Sequence, residues 1–253
     1  MSQQGPHAAP GRPLVLGHRG ASADAPENTL AAFRLAMEQG ADGVELDVRR
    51  CATGEVVVFH DEDVQRIAGV PLRVAEVPWA ALRGLDAGGW KGERFRGERI
   101  PLLEEVLEAV PGAYLNVELK GEEDREGLAV ATAEVLRRAG RVDRVLVSSF
   151  DARLLRRFGR AAPQLPRGFL FEGRAGLLRA ALVAPLLRPA AVHPGAALAT
   201  PARVRRWVSR GLKVNVWTVD DPTEVGRLAA LGVAALITDF PGRVRSQLSL
   251  GAA

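Results

Sequence analysis

The 253-residue chain has a single cysteine, Cys51. No disulfide can form within it, which excludes a cysteine-stapled secreted scaffold. It also lacks a long apolar run. The most apolar stretch, AGLLRAALVAPLLRPAAV over 175–192, is interrupted by Arg179, Pro185 and Arg188. It is a poor membrane span, and an outer helix of the domain is the simpler reading. The opening MSQQGPHAAPGRP has neither an apolar core nor a basic n-region, so it is not expected to act as a signal peptide. Residues 1–12 read as a disordered leader before one domain over 13–250. A cytoplasmic location with no stable membrane insertion is expected. The net charge is +4, carried mostly by arginine, but no basic tract with interleaved aromatics is present. Segments such as RRAGRVDR and RLLRRFGR set arginines around apolar positions, as on solvated helix faces. Nucleic acid is therefore not an expected partner, although a mildly positive field favours an anionic small molecule. There is no strict repeat, and no Cys/His cluster argues for zinc.

What is present is alternation. Short apolar strands are expected at 14–17, 43–48, 56–59, 114–119, 144–148, 167–171, 190–192, 213–217 and 234–237. Helical patterns fall at 27–39, 101–109, 124–139, 151–160, 174–187, 201–210, 221–231 and 241–248. Strand–helix alternation repeated some eight times predicts a parallel sheet closed into an α/β TIM (β/α)8 barrel. Nine strands compete for eight places. The four residues CATG leave no room for a crossover helix between ELDVRR and EVVVFH, so 56–60 reads as an antiparallel return. A turn centred on Thr53-Gly54 would set Asp47 roughly opposite His60. Residues 61–100 break the rhythm and read as a small insertion over the barrel mouth, with Trp79 and Trp90 in its core.

Polar residues collect where these strands end: His18 and Arg19; Glu45, Asp47 and His60; Asn116, Glu118 and Lys120; Ser148 and Ser149; His193; Asn215 and Trp217; Thr238 and Asp239. Barrel enzymes keep their chemistry at that end. Strand side chains repeat every second residue, so Glu45 and Asp47 share a face, as do Asn116, Glu118 and Lys120. Turned inward, three carboxylates meet near the mouth, which is costly without a cation. An all-oxygen donor set suits one divalent Mg²⁺ or Ca²⁺. His18 and His60 are then titratable partners, and Arg19 and Lys120 fixed cations. That combination describes a phosphodiester site: cations hold phosphoryl oxygens, one imidazole takes a proton from the nucleophile, and the other gives one to the leaving alkoxide. Glu27 is expected to support the first helix terminus or to touch the site from behind. Glu172 and His193 are possible mouth residues, Asp239 is expected to cap the last helix, and Cys51 is expected to be inert.

The motifs GHRG…PENT, VELDVR, VVVFHDEDVQR, LDAGGWKGERFRGERIPLLEEVL, LNVELKG, VSSF, VNVWTVDD and ITDFPG occur in this order from about 14 to 243. In order and spacing they resemble the glycerophosphodiester phosphodiesterases. The resemblance implies a TIM barrel with a small insertion after the HD motif. It implies hydrolysis of small glycerophosphodiesters to glycerol 3-phosphate and an alcohol. By position it implies His18 and His60 as the acid/base pair, Glu45, Asp47 and Glu118 as ligands of Mg²⁺ or Ca²⁺, Arg19 and Lys120 on phosphate, and Trp217 as an apolar wall. It further implies a cyclic glycerol phosphate intermediate, as in phosphatidylinositol-specific phospholipases C. Two departures, DVQRIAG after HD and Leu102 after Ile-Pro, bear on headgroup preference. Alternatives are lysophospholipase D or a cyclising lyase on the same scaffold, a non-catalytic phosphoglycerol-binding protein, and a nucleic-acid phosphodiesterase. The insertion disfavours the lyase, the retained histidines and carboxylates disfavour the binding protein, and the missing basic track disfavours the last.

Overall fold

The computed structural model describes residues 12–121, 124–140 and 143–250. Eight parallel strands close into a barrel: β1 (Leu14–His18), β2 (Gly43–Arg50), β4 (Tyr114–Leu119), β5 (Val145–Ser149), β6 (Arg167–Phe171), β7 (Ala191–Pro194), β8 (Lys213–Val216) and β9 (Ala235–Thr238). Pairing of β1 with both β2 and β9 completes the ring. The ninth strand, β3 (Val56–Val58), returns antiparallel on β2. Helices α1 (Leu30–Glu38), α4 (Leu103–Ala109), α5 (Arg125–Arg138), α6 (Ala152–Ala161), α7 (Gly173–Leu187), α8 (Pro201–Val208), α9 (Pro222–Ala230) and α10 (Pro241–Leu250) form the outer ring. Two short helices, α2 (Gln65–Ala68) and α3 (Trp79–Gly84), belong to the insertion. The leader expected over 1–12 lies outside the described residues except for Arg12, which pairs with Asp42 at 3.2 Å.

The barrel follows from the in–out alternation of its strands. Val44, Leu46 and Val48 of β2 and Leu115, Val117 and Leu119 of β4 pack outward with Phe33, Leu103 and Phe158 of the helices. A second outer cluster joins Phe169, Phe171, Trp207 and Val214. Burial of each such side chain is worth about 1.5–3 kcal/mol, so these clusters carry most of the fold's stability. The alternate positions face inward. Leu16, Ala235 and Ile237 make an apolar floor, and the polar residues stand above it. Strand approach sets a local limit: a Cβ on Gly43 would lie 1.9 Å from the Tyr114 carbonyl oxygen.

Two expectations change. The hairpin loop closes with Cys51 N–H donating to the Glu55 carbonyl, which centres it on Thr53 rather than Thr53-Gly54. Asp47 therefore faces Phe59, one residue short of His60, and the Phe59 N–H donates to the Asp47 carbonyl at 2.9 Å. The insertion has its own core of Val57, Phe59, Ile67, Val74, Leu82 and Ile100, with Trp79 packed against it. Trp90 is not in that core; it is 43% exposed beneath the Lys91 ammonium. The insertion is tied to the first mouth loop by Lys91 donating to the Ser22 carbonyl and Arg94 to the Asp24 carbonyl.

Candidate active site

Backbone geometry explains why the first strand ends in His18-Arg19. Arg19 and Asn28 both have left-handed backbones, at φ 55° and 57°. Gly20, at φ 89°, lies where a Cβ would come within 2.6 Å of the Ala32 backbone. This turn aims the Arg19 N–H at Glu45 Oε2 (3.1 Å) and its guanidinium at Asp47 and Glu27. It also keeps Glu27 and Asn28 out of α1, which begins only after Thr29 caps it by accepting from Ala32 N–H.

Glu45, Asp47 and Glu118 are all buried, and they offer ligand oxygens within 4.8 Å of one another. Neighbouring register makes the cluster: His18 pairs with Glu45, and Asp47 with Glu118. The three are electrostatically unequal. Burial pushes Glu45 up to about 8, with repulsion from Asp47 and Glu118 adding to it. Burial also pushes Glu118 up to about 7, against the pull of Lys120. Asp47 is held below the usual carboxylate range: burial opposes ionisation, but Lys120, Arg19 and the Asn28 amide outweigh it. Asn28 Nδ2 donates to Asp47 Oδ2 at 2.9 Å. Lys120 Nζ lies 2.7 Å from Glu118 Oε1 and 3.4 Å from Asp47 Oδ1. Two buried carboxylates that resist ionisation beside a third that does not are a donor set short of positive charge. An oxygen-seeking divalent cation supplies it, so the residues fit Mg²⁺ or Ca²⁺.

The two histidines flank this cluster, each anchored through Nδ1. His18 donates to Asp239 Oδ1 at 2.7 Å, leaving Nε2 4.0 Å from Glu45 Oε2. Burial disfavours the imidazolium, yet the Asp239 bond and the Glu45 charge raise the His18 pKa. His60 donates to Asp61 Oδ1 at 2.6 Å, and Arg66 holds that carboxylate. For His60, burial prevails together with the Lys120 and Arg19 charges, and its pKa is lowered despite Asp47. Trp217 stands at the rim, its ring edge-on to Phe150 at 5.5 Å, and its Nε1–H donates to the His193 carbonyl. A cleft of about 580 Å³ opens outward from Glu118 and Lys120, past Ser149 and Phe150, to Arg179 and Val183 of α7.

Asp239 and His193 occupy places other than those expected, whereas Glu27 and Glu172 do not depart from theirs. Asp239 does not serve as a cap: its Oδ1 accepts from His18 and from Ser22 Oγ. Of the two places expected for Glu27, it takes the second: Thr29 caps the helix, and Glu27 accepts from Arg19 and Arg66 behind the carboxylates. Glu172 is exposed just past the end of β6, beside Gly195, and stands apart from the carboxylate cluster. His193 does not line the mouth; it is fully buried inside the barrel, where Asn215 Nδ2 donates to its Nε2 at 3.0 Å and burial pushes its pKa down to about 3. Asn116 and Ser148 are likewise buried in the barrel. Asn28, Asp61 and Arg66 each lie in a quoted motif to which the sequence assigns no site role; only tertiary contacts reveal their partners.

Residues 18–243 match the model of the glycerophosphoryl diester phosphodiesterase family. The chain is 37% identical over 231 residues to the glycerophosphodiester phosphodiesterase of Caldanaerobacter subterraneus, covering 90% of this chain and 94% of that protein. Its structure is similar to that of an Oleispira antarctica phosphodiesterase in complex with the product sn-glycerol-3-phosphate (TM-score 0.87, 33% identity, 94% of this chain and 97% of that one). The glycerophosphodiester phosphodiesterase of Agrobacterium tumefaciens superposes with a TM-score of 0.82 at 30% identity, over 92% of this chain and 99% of that one. With a matching barrel and a family model spanning nearly its whole length, the chain belongs to the glycerophosphoryl diester phosphodiesterase family and is an enzyme of that class.

Proposed function

We propose that the chain hydrolyses small glycerophosphodiesters to sn-glycerol 3-phosphate and an alcohol, with His18 and His60 as its acid/base pair and Glu45, Asp47 and Glu118 holding one divalent cation. The observation that carries this reading is the buried cluster itself: three carboxylates within 4.8 Å, a carboxylate-anchored imidazole on either side, and two cations above them. When bound, Mg²⁺ or Ca²⁺ supplies charge neutralisation for the phosphoryl oxygens. Arg19 and Lys120 orient the phosphate and carry charge that water would otherwise screen. One imidazole Nε2 takes the proton of the attacking hydroxyl as its oxygen bonds to phosphorus. The phosphorus–oxygen bond to the alcohol breaks, and the other imidazole protonates the departing alkoxide. With a glycerol hydroxyl as nucleophile this yields a cyclic glycerol phosphate, which water opens with the imidazole roles reversed. Trp217 and Phe150 shield one side of the mouth.

The test is release of glycerol 3-phosphate from glycerophosphocholine in a coupled assay with Mg²⁺, Ca²⁺, Mn²⁺ or EDTA, beside His18→Ala and Glu45→Ala. Metal-dependent release abolished by both substitutions is expected. No release from any glycerophosphodiester, with tight phosphoglycerol binding retained, would overturn the reading. Solvent ¹⁸O in the product with no cyclic species at any time would overturn the cyclic step alone.

A further inference from the structure

Helix α7 points Leu178, Leu182 and Leu186 at solvent, with 68%, 76% and 85% of their surface exposed. Spaced by four, they stand on one face as a ridge about 12 Å long. Beside the ridge, a groove of about 830 Å³ runs between α7 and α8. Its floor includes Phe171, Val192 and Trp207, and its rim includes Arg188, Arg206 and Arg210. Isolated exposed leucines need no explanation, but an aligned ridge continuous with an apolar groove does.

Charge says what covers it. From Gly173 to Val219 the sequence holds eight of its 34 cations and none of its 30 carboxylates, so the rest of the chain is net negative by four. Arginines elsewhere meet carboxylates, as Arg66 meets Glu27 and Arg83 meets Glu105. Among the described residues, no arginine from Arg174 to Arg210 is in an ion pair. A second copy seated on this ridge by two-fold symmetry would bring two cationic rims together, which disfavours self-association. An apolar ridge ringed by unpaired arginines matches the interior and the surface of an anionic lipid leaflet. Pro185 and the arginines rule out a span, so the contact is peripheral.

We propose that α7, with the arginine rim of α8, docks this protein on anionic membrane surfaces. The cleft that begins at Glu118 and Lys120 ends at Arg179 and Val183 of the same helix, so docking sets the barrel mouth beside the lipid. This inference concerns binding and stands whether or not the assigned acid/base pair is correct.

The test is flotation of the full chain with vesicles of phosphatidylcholine alone or with added phosphatidylglycerol, at low and high salt. Leu182→Glu/Leu186→Glu and Arg206→Glu/Arg210→Glu are run beside it. Salt-sensitive binding to phosphatidylglycerol vesicles only is expected, weakened about tenfold or more by either double variant. Both variants change exposed residues, so circular dichroism and hydrolysis of soluble glycerophosphocholine should stay at the wild-type level. Absence of binding to phosphatidylglycerol vesicles, or equal binding by wild type and the leucine variant, would overturn the proposal. So would a dimer in sedimentation that the leucine variant dissociates, which makes the ridge an interface between copies.

Discussion

Asp239→Asn is the sharpest probe of the site. The aspartate accepts the His18 Nδ1 proton at 2.7 Å and is fixed by Ser22 Oγ at 2.9 Å, while its own N–H donates to Asp220. It thereby fixes the tautomer and aims Nε2 at the carboxylate cluster. The amide keeps the shape but removes the charge and one acceptor. A hydrogen bond to a charged group is worth about 1.5–3 kcal/mol, and 1.4 kcal/mol is about tenfold. The expected loss is therefore about 10- to 150-fold in kcat, with KM little changed because Asp239 is not ion-paired with Arg19 or Lys120, the cations proposed to hold the phosphate. His18→Ala should cost more, about 10²–10⁴-fold. The discriminating measurement is the double variant. If Asp239 acts through His18, adding Asp239→Asn to His18→Ala should cost almost nothing further. Additive losses, or an Asp239→Asn enzyme within a factor of about three of wild type, would refute the reasoning.

Glu45→Gln removes one of three mutually repelling buried carboxylates, one that burial already pushes up to about 8; without metal the variant should melt no lower than wild type, yet lose both activity and the thermal shift given by Mg²⁺ or Ca²⁺. A clearly lower metal-free Tm, or a retained metal shift, would contradict this. His193 stays neutral in the fold down to about pH 3, whereas the unfolded chain binds that proton near the ordinary 6.5. Stability should therefore fall as pH drops through that window, by at most about 5 kcal/mol from this group, and urea midpoints of His193→Gln should fall less steeply; parallel curves would exclude it. Arg66 grips Glu27 and Asp61 from a half-exposed position. Such pairs are worth about 0–1 kcal/mol, so Arg66→Ala should raise KM less than about fivefold, while Arg19→Ala, which strips Asp47 of a buried partner, should cost tenfold or more in kcat/KM.

Periodicity located the strands and helices to within a few residues because the barrel strands are short, apolar and separated by amphipathic helices. The site carboxylates were legible for a related reason. A Glu or Asp at the end of an otherwise Val/Leu strand has no core use, so Glu45, Asp47 and Glu118 stood out. Single-residue register did not follow. The turn after β2 centres on Thr53, because closing Cys51 to Glu55 leaves three residues in the loop with Gly54 at φ 104°, and that moves His60 off Asp47. His193 misled because a histidine before proline at a strand end resembles a mouth residue, whereas β7 runs on to Pro194 and keeps the imidazole inside the barrel.

The place of Asp239 follows from the fold itself. A closed barrel makes its first and last strands neighbours, however far apart they lie in the chain. Gly17 pairs with Thr238, so the next residue on each strand, His18 and Asp239, must be adjacent at the mouth although 221 positions separate them. The same step from β1 to β2 brings His18 to Glu45, and the step from β2 to β4 brings Asp47 to Glu118. Four consecutive strands, β9, β1, β2 and β4, thus hold the anchored imidazole and all three carboxylates. Closure of the ring, with strand ends aligned, brings these polar strand ends into contact. A cap assignment for Asp239 weighs only the helix that follows it. The strand beside it offers a half-buried imidazole, and a carboxylate gains more from that partner than from an exposed helix end.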